Sequence, residues 1–299
     1  MSASPPRWLP SYLLLALIWG CSFLFIKVGL ESLTPAGVAF SRIVLGLITL
    51  LVLSAVMKSP LPPRRAWIPL FFAALLMTSL PWTLFAYAEQ HVSSALAGII
   101  NGATPLMTLV AILLVFPEEK PTRQRVIGLV IGFAGVLVVV GIWQGLGTGT
   151  WLGIGACLLA ITGYGFSFPY VRRHLATGDS PIGALTLATG LLAMGAIQSA
   201  PIVVVTGYSH APFTMATALA LLALGCLGSG FAYVLNFQVI SRSDATTAST
   251  VTYVITLVAV LAGALFLGEH ITWNQPVGGI LVLLGAAVAQ GLVRLDRRR

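Results

Sequence analysis

Residues 114–135 read LVFPEEKPTRQRVIGLVIGFAG, and residues 265–286 read LFLGEHITWNQPVGGILVLLGA. Each stretch opens with a short polar break holding an acidic residue and continues as an apolar run spaced by glycines. Glu119 pairs with Glu269, Gly128 with Gly278 and Gly135 with Gly285. The same correspondence extends upstream. GLESLTPAGVAF at 29–40 matches HLATGDSPIGAL at 174–185, and LFAYAEQ at 84–90 matches GFAYVLN at 230–236. These pair Pro35 with Pro181, Gly37 with Gly183, Ala86 with Ala232 and Tyr87 with Tyr233. The chain thus reads as one unit repeated in tandem.

What the unit is follows from its solvent. Of the 299 residues, 58% are hydrophobic and 8% are charged, against roughly 25% charged in a soluble domain. So few charges cannot cover a water-facing exterior, and lipid becomes the expected surroundings. A crossing helix needs about 20 apolar residues. Runs of that kind fall at 11–30, 36–57, 66–88, 93–116, 123–142, 151–171, 181–206, 213–239, 245–267 and 273–293. The expected fold is an all-α membrane protein with ten transmembrane helices.

Five spans per repeat is an odd number, so the second copy enters the membrane in the opposite sense. The two inverted repeats would enclose a central cavity, a recurring design of secondary transporters. The expected organisation is a cytoplasmic segment 1–10, repeats 11–145 and 146–293, and a basic cytoplasmic tail 294–299. The first apolar run lacks a small-residue cleavage site and reads as a retained helix.

Cytoplasmic connections carry the excess of Lys and Arg. With the N-terminus inside, fourteen of the 16 basic residues lie in cytoplasmic segments and none in the opposite loops. Both termini are therefore expected in the cytoplasm, with the protein in a bacterial inner membrane. The net charge of +8 is then a topology signal. The basic residues form no stripe interleaved with aromatics, so nucleic acid is not an expected partner.

At residues 17–51, LIWGCSFLFIKVGLESLTPAGVAFSRIVLGLITLL, the pattern becomes specific. Trp19 with Gly20, Ser22 with Phe23, Lys27 and Arg42 resemble the opening of the EamA-type branch of the drug/metabolite transporter superfamily. The acidic, Thr and Gly residues that close each repeat are similar to that branch's closing motif. The resemblance covers essentially the whole chain and implies a ten-helix carrier exporting amino acids and other small metabolites. Within the branch the chain is most similar to bacterial aromatic amino-acid exporters. It departs from a symmetric pattern where Pro105 has Ile255 as its counterpart.

Charged groups inside a membrane are functional candidates by default. Lys27 and Arg42 qualify, with Glu31 and Glu89 as counter-charges, in an ion-pair cluster or gate. No acidic residue falls at mid-membrane, which favours facilitated diffusion or weakly coupled exchange. Proton coupling would have to use Glu89, His91, Glu269 or His270. Substrate-binding candidates are the polar and aromatic residues inside spans: Trp19, Ser22, Trp82, Tyr87, Asn101, Thr104, Tyr164, Ser167, Tyr233 and Tyr253. Asn101, Tyr87 and Tyr164 are expected to share the cavity.

Cys21, Cys157 and Cys226 lie in apolar runs without metal or redox spacing. No cofactor, metal site or catalytic constellation is expected. A membrane-embedded enzyme would need a polar cluster near one face, and a lipid-handling or signalling scaffold would have little use for the repeat. A drug or nucleotide-sugar carrier of the same fold is the nearer alternative. The expected partners are a small-molecule substrate and membrane lipid, with a monomer favoured over a homodimer.

Overall fold

The computed structural model describes residues 9–115, 122–141, 143, 148–176, 182–242, 251–289 and 293. The terminal segments 1–8 and 294–299, and Glu119, lie outside the described residues. Among the described residues, seven helices are long and apolar enough to cross a membrane: α1 (Leu9–Gly29), α2 (Pro35–Val56), α3 (Arg64–Ala88), α4 (Ser94–Val115), α6 (Gly149–Leu175), α7 (Ala184–Thr206) and α8 (Met215–Arg242). In the other three expected spans the described residues form α5 (Arg123–Val140), α9 (Val251–Phe266) and α10 (Asn274–Ala289).

Start signals cluster at one end of the bundle. Thr34, Ser93 and Thr214 cap α2, α4 and α8, each hydroxyl accepting from the backbone N–H three residues on. Pro35 occupies the first turn of α2, where its missing N–H has no intrahelical partner to lose.

Several helices carry interior irregularities, and those of α3 and α8 fall in matched places. α1 breaks at Cys21. α3 widens into a π-helical stretch at Leu75–Ser79 and α8 does so at Ala223–Phe231, near each other in the repeat alignment. α4 is interrupted at Gly102–Ala103 before Pro105. Proline leaves the Asn101 carbonyl without its helical donor, and the Thr104 hydroxyl supplies one at 2.7 Å.

Contacts between the halves come in reciprocal sets: α1 against α8 and α9, α6 against α3 and α4, α2 against α7, and α5 against α10. The α5–α10 pair is the closest. A side chain at Gly128 would press on the Gly285 carbonyl, and one at Gly135 on the Gly278 carbonyl. Small residues let backbones approach in a solvent that offers no hydrophobic drive between helices.

The connections α1–α2, α3–α4, α7–α8 and α9–α10 are bound together at the capped end. Leu33 and Ser209 form a β-bridge. The Thr34 N–H donates to Tyr208 O at 3.1 Å, and Ser32 Oγ to Pro212 O at 2.9 Å. Both carboxylate oxygens of Glu269 take the donors at the start of α4 that lack intrahelical partners: Ser94 N at 2.8 Å, Ser94 Oγ at 2.9 Å and Ala95 N at 2.9 Å. An anion there also meets the positive end of the helix dipole. This end is hereafter the latched end.

Candidate functional site

α1, α2, α3, α4, α6, α8 and α9 enclose a central cavity of about 60 Å³. That is room for a few waters at roughly 10–15 Å³ each, so the site is contracted around its walls. Seven sequence candidates line it: Trp19, Ser22, Arg42, Trp82, Asn101, Tyr164 and Tyr233.

Its principal charged wall is Arg42, 4% exposed. Arg42 Nε donates to Ser229 Oγ at 3.1 Å, and the guanidinium carbon lies 3.6 Å from the Trp82 ring centre. Cation–π contact partly replaces lost hydration, yet among the described residues no carboxylate pairs with this guanidinium. Ser229 is itself held by Leu224 O at 3.0 Å in the π-helical part of α8.

Aromatic rings surround this cation in a connected set. Tyr233 meets Trp19 at 5.5 Å and Trp82 at 5.6 Å, both edge-on, and Phe85 stacks on Tyr164 at 5.9 Å. Their polar tips are anchored on the widened helices. Trp19 Nε1 donates to Gly228 O at 2.8 Å, and the Tyr233 hydroxyl to Met77 O at 2.8 Å. The irregular backbone of α3 and α8 thus orients the Trp19 and Tyr233 rings.

Four candidates lie elsewhere. Tyr87 packs edge-on against His91 at 4.9 Å, beyond the cavity at the end of α3. The Thr104 hydroxyl is turned back to the Asn101 carbonyl and that of Ser167 to Tyr164 O at 2.8 Å, so both serve their own helices. Tyr253 neighbours the lining residue Thr252 but occupies another face of α9. Of the trio expected to share the cavity, Asn101 and Tyr164 line it and Tyr87 does not.

The expected ion-pair cluster takes a different form. Lys27 Nζ donates to the backbone carbonyls of Glu89 at 2.6 Å and Val92 at 3.4 Å. The reason is the end of α3, where unpaired carbonyls carry the negative end of the helix dipole. Glu31 is exposed, and Arg42 faces Trp82. Glu89 is fully buried, and neither carboxylate oxygen is hydrogen-bonded among the described residues.

Phe23, Ile26, Met77, Phe85, Phe168, Thr252 and Ile255 complete the lining and escaped the sequence reading. Most are apolar residues that a lipid-facing surface would equally accept. Thr252 alone carried a polar signal inside a span. Among the described residues no cluster of His, Cys, Asp or Glu could hold a metal ion, and the three cysteines are free.

A helical bundle of apolar spans thus surrounds a cavity lined by one buried cation and aromatic rings. The model of the EamA-like transporter family matches residues 7–141 and again 151–290, and the chain belongs to that family. The two matches coincide with the tandem repeat. An uncharacterized transporter of Archaeoglobus fulgidus is 29% identical over 92% of this chain and 95% of its own length. YedA of Escherichia coli, described as an uncharacterized inner membrane transporter, is 27% identical over 86% and 82%. PagO of Salmonella typhimurium is 25% identical over 83% and 81%. A solved crystal structure sharing 18% identity superposes with a TM-score of 0.68 over 95% of this chain and 96% of its own, a likeness of fold. The protein is a multi-pass membrane transporter.

Proposed function

We propose that this transporter exports small metabolites bearing a carboxylate, foremost aromatic and neutral amino acids, by alternating access. The observation that carries the reading is Arg42: a buried cation without an anionic partner among the described residues, facing a cavity walled by aromatic rings. An unpaired buried charge is unfavourable until an anion completes it. A substrate carboxylate would do so, while Trp19, Tyr164 and Tyr233 suit a flat apolar side chain. Asn101, with donors and acceptors, suits the amino group.

The transport unit in this reading is ten membrane spans in two inverted halves, 11–145 and 146–293, in a bacterial inner membrane with both termini cytoplasmic. The reciprocal contacts between halves and the paired π-helical stretches support it. The latched end would then face outward, and the contracted cavity would be one stage of the cycle. A nucleotide sugar would need several cations around its phosphates. Among the described lining residues Arg42 is the one basic side chain.

The test is counterflow of labelled phenylalanine into liposomes holding the purified protein. Unlabelled competitors would include threonine, lysine, nucleotide sugars and polyamines. Saturable exchange competed by neutral and aromatic amino acids supports the proposal. Exchange of another class alone would retain the transporter and discard the substrate.

A further inference from the structure

Glu89 lies just past the last residue of α3, at the latched end and above the cavity. It is 0% exposed, and neither Oε1 nor Oε2 has a hydrogen-bond partner among the described residues. An ionised carboxylate takes up donors avidly, and leaving one buried without them is strongly unfavourable. Its surroundings contain a cation that does not use it: Lys27 Nζ binds the carbonyl of this same residue at 2.6 Å instead of its carboxylate.

The charged and titratable groups around Glu89 come from every element packed on it. Lys27 stands on α1, Arg42 on α2 and Cys157 on α6, with Glu269 in the α9–α10 connection and His91 in its own. Arg42 is engaged by Trp82 and Ser229. Glu269 holds its negative charge in place with three donors from α4, which opposes a second ionised carboxylate close by.

We propose that Glu89 is a proton-binding site of the transport cycle, occupied while the latched end is closed and vacated when that end opens. Closure withdraws the carboxyl from water and offers it no donor, so the closed form retains the proton. Opening breaks the Lys27 contact to α3, hydrates the carboxyl and lets the proton leave. Because the closed form holds one more proton than the open form, raising the pH favours opening. For one linked proton the ratio of the two forms changes by no more than about tenfold per pH unit. The inference needs only that the protein is a transporter and makes no use of the amino-acid assignment.

The experiment uses the full chain in lipid nanodiscs, without substrate. Infrared difference spectra between wild type and Glu89→Gln read the carbonyl stretch of a protonated carboxylic acid. Spin labels on Ser209→Cys and His270→Cys, both exposed, read the separation of the α7–α8 and α9–α10 connections; the native cysteines are replaced by Ala. The expected result is a protonated-acid band at neutral pH that Glu89→Gln removes. In wild type the labels gain a longer separation as pH rises, and in Glu89→Gln they keep the short one throughout. Absence of the band at neutral pH, or the same pH response in both proteins, would overturn the proposal.

Discussion

At the residue scale, the protein places a few polar groups where water is scarce and gives each a defined partner or leaves it open. Arg42 is left open on its cavity side, which makes it the sharpest test of the substrate reading. Truncating one member of a buried charge pair costs about 2–5 kcal/mol. Arg42→Gln is therefore expected to weaken phenylalanine counterflow by about 30-fold or more, the lower end of that range at about 1.4 kcal/mol per decade. Arg42→Lys keeps charge without the planar fork and should fall between. Equal activity in all three proteins would remove Arg42 from the site. Glu269 is the opposite case, with both oxygens satisfied by the start of α4. Glu269→Ala should lower stability by about 1–2 kcal/mol, the range for a lost helix cap, read as an earlier thermal transition in detergent.

At the scale of elements, the α5–α10 pair and the widened turns of α3 and α8 have different tasks. The pair is held by glycine contacts, and a Cβ at Gly285 would come within 2.6 Å of Gly132 Cα. Gly285→Val is expected to cost about 1–3 kcal/mol, as overpacking does, and a thermal transition unchanged from wild type would refute so tight a contact. The π-helical turns instead release carbonyls, two of which anchor Trp19 and Tyr233. Trp19→Phe keeps an aromatic ring but shrinks it and strands the Gly228 carbonyl. The loss should be at least about 1 kcal/mol, the usual net value of one hydrogen bond, again measured by thermal unfolding.

At the scale of the molecule, two groups of connections meet at the latched end. Residues 32–34 are tied to 207–212, and Glu269 ties the α9–α10 connection to α4. Lys27 spans the gap between these groups through the carbonyls that follow α3. Lys27→Met should lengthen the Ser209–His270 separation measured with spin labels at fixed pH. An unchanged distribution would mean that the groups are held by other contacts.

The sequence by itself determined the solvent, the tandem repeat and half of the cavity lining, because each rests on a local and costly signal. Apolar runs declare lipid, repeated Pro and Gly positions declare duplication, and Trp19, Ser22, Arg42, Trp82, Asn101, Tyr164 and Tyr233 stand out as polar or amphipathic groups inside spans. Only the tertiary structure decided which way each group points. A residue turns about 100° around the helix from its neighbour, so Tyr253 misses a cavity that Thr252 reaches. The apolar lining of Phe23, Ile26, Met77, Phe85 and Phe168 is indistinguishable in sequence from a lipid-facing surface. The partners of Lys27 and Glu269 are helix ends distant along the chain, and an acidic residue as such does not announce whether donors await it. Among the described residues Glu269 finds three and Glu89 none, a difference set by how the helix ends converge in space.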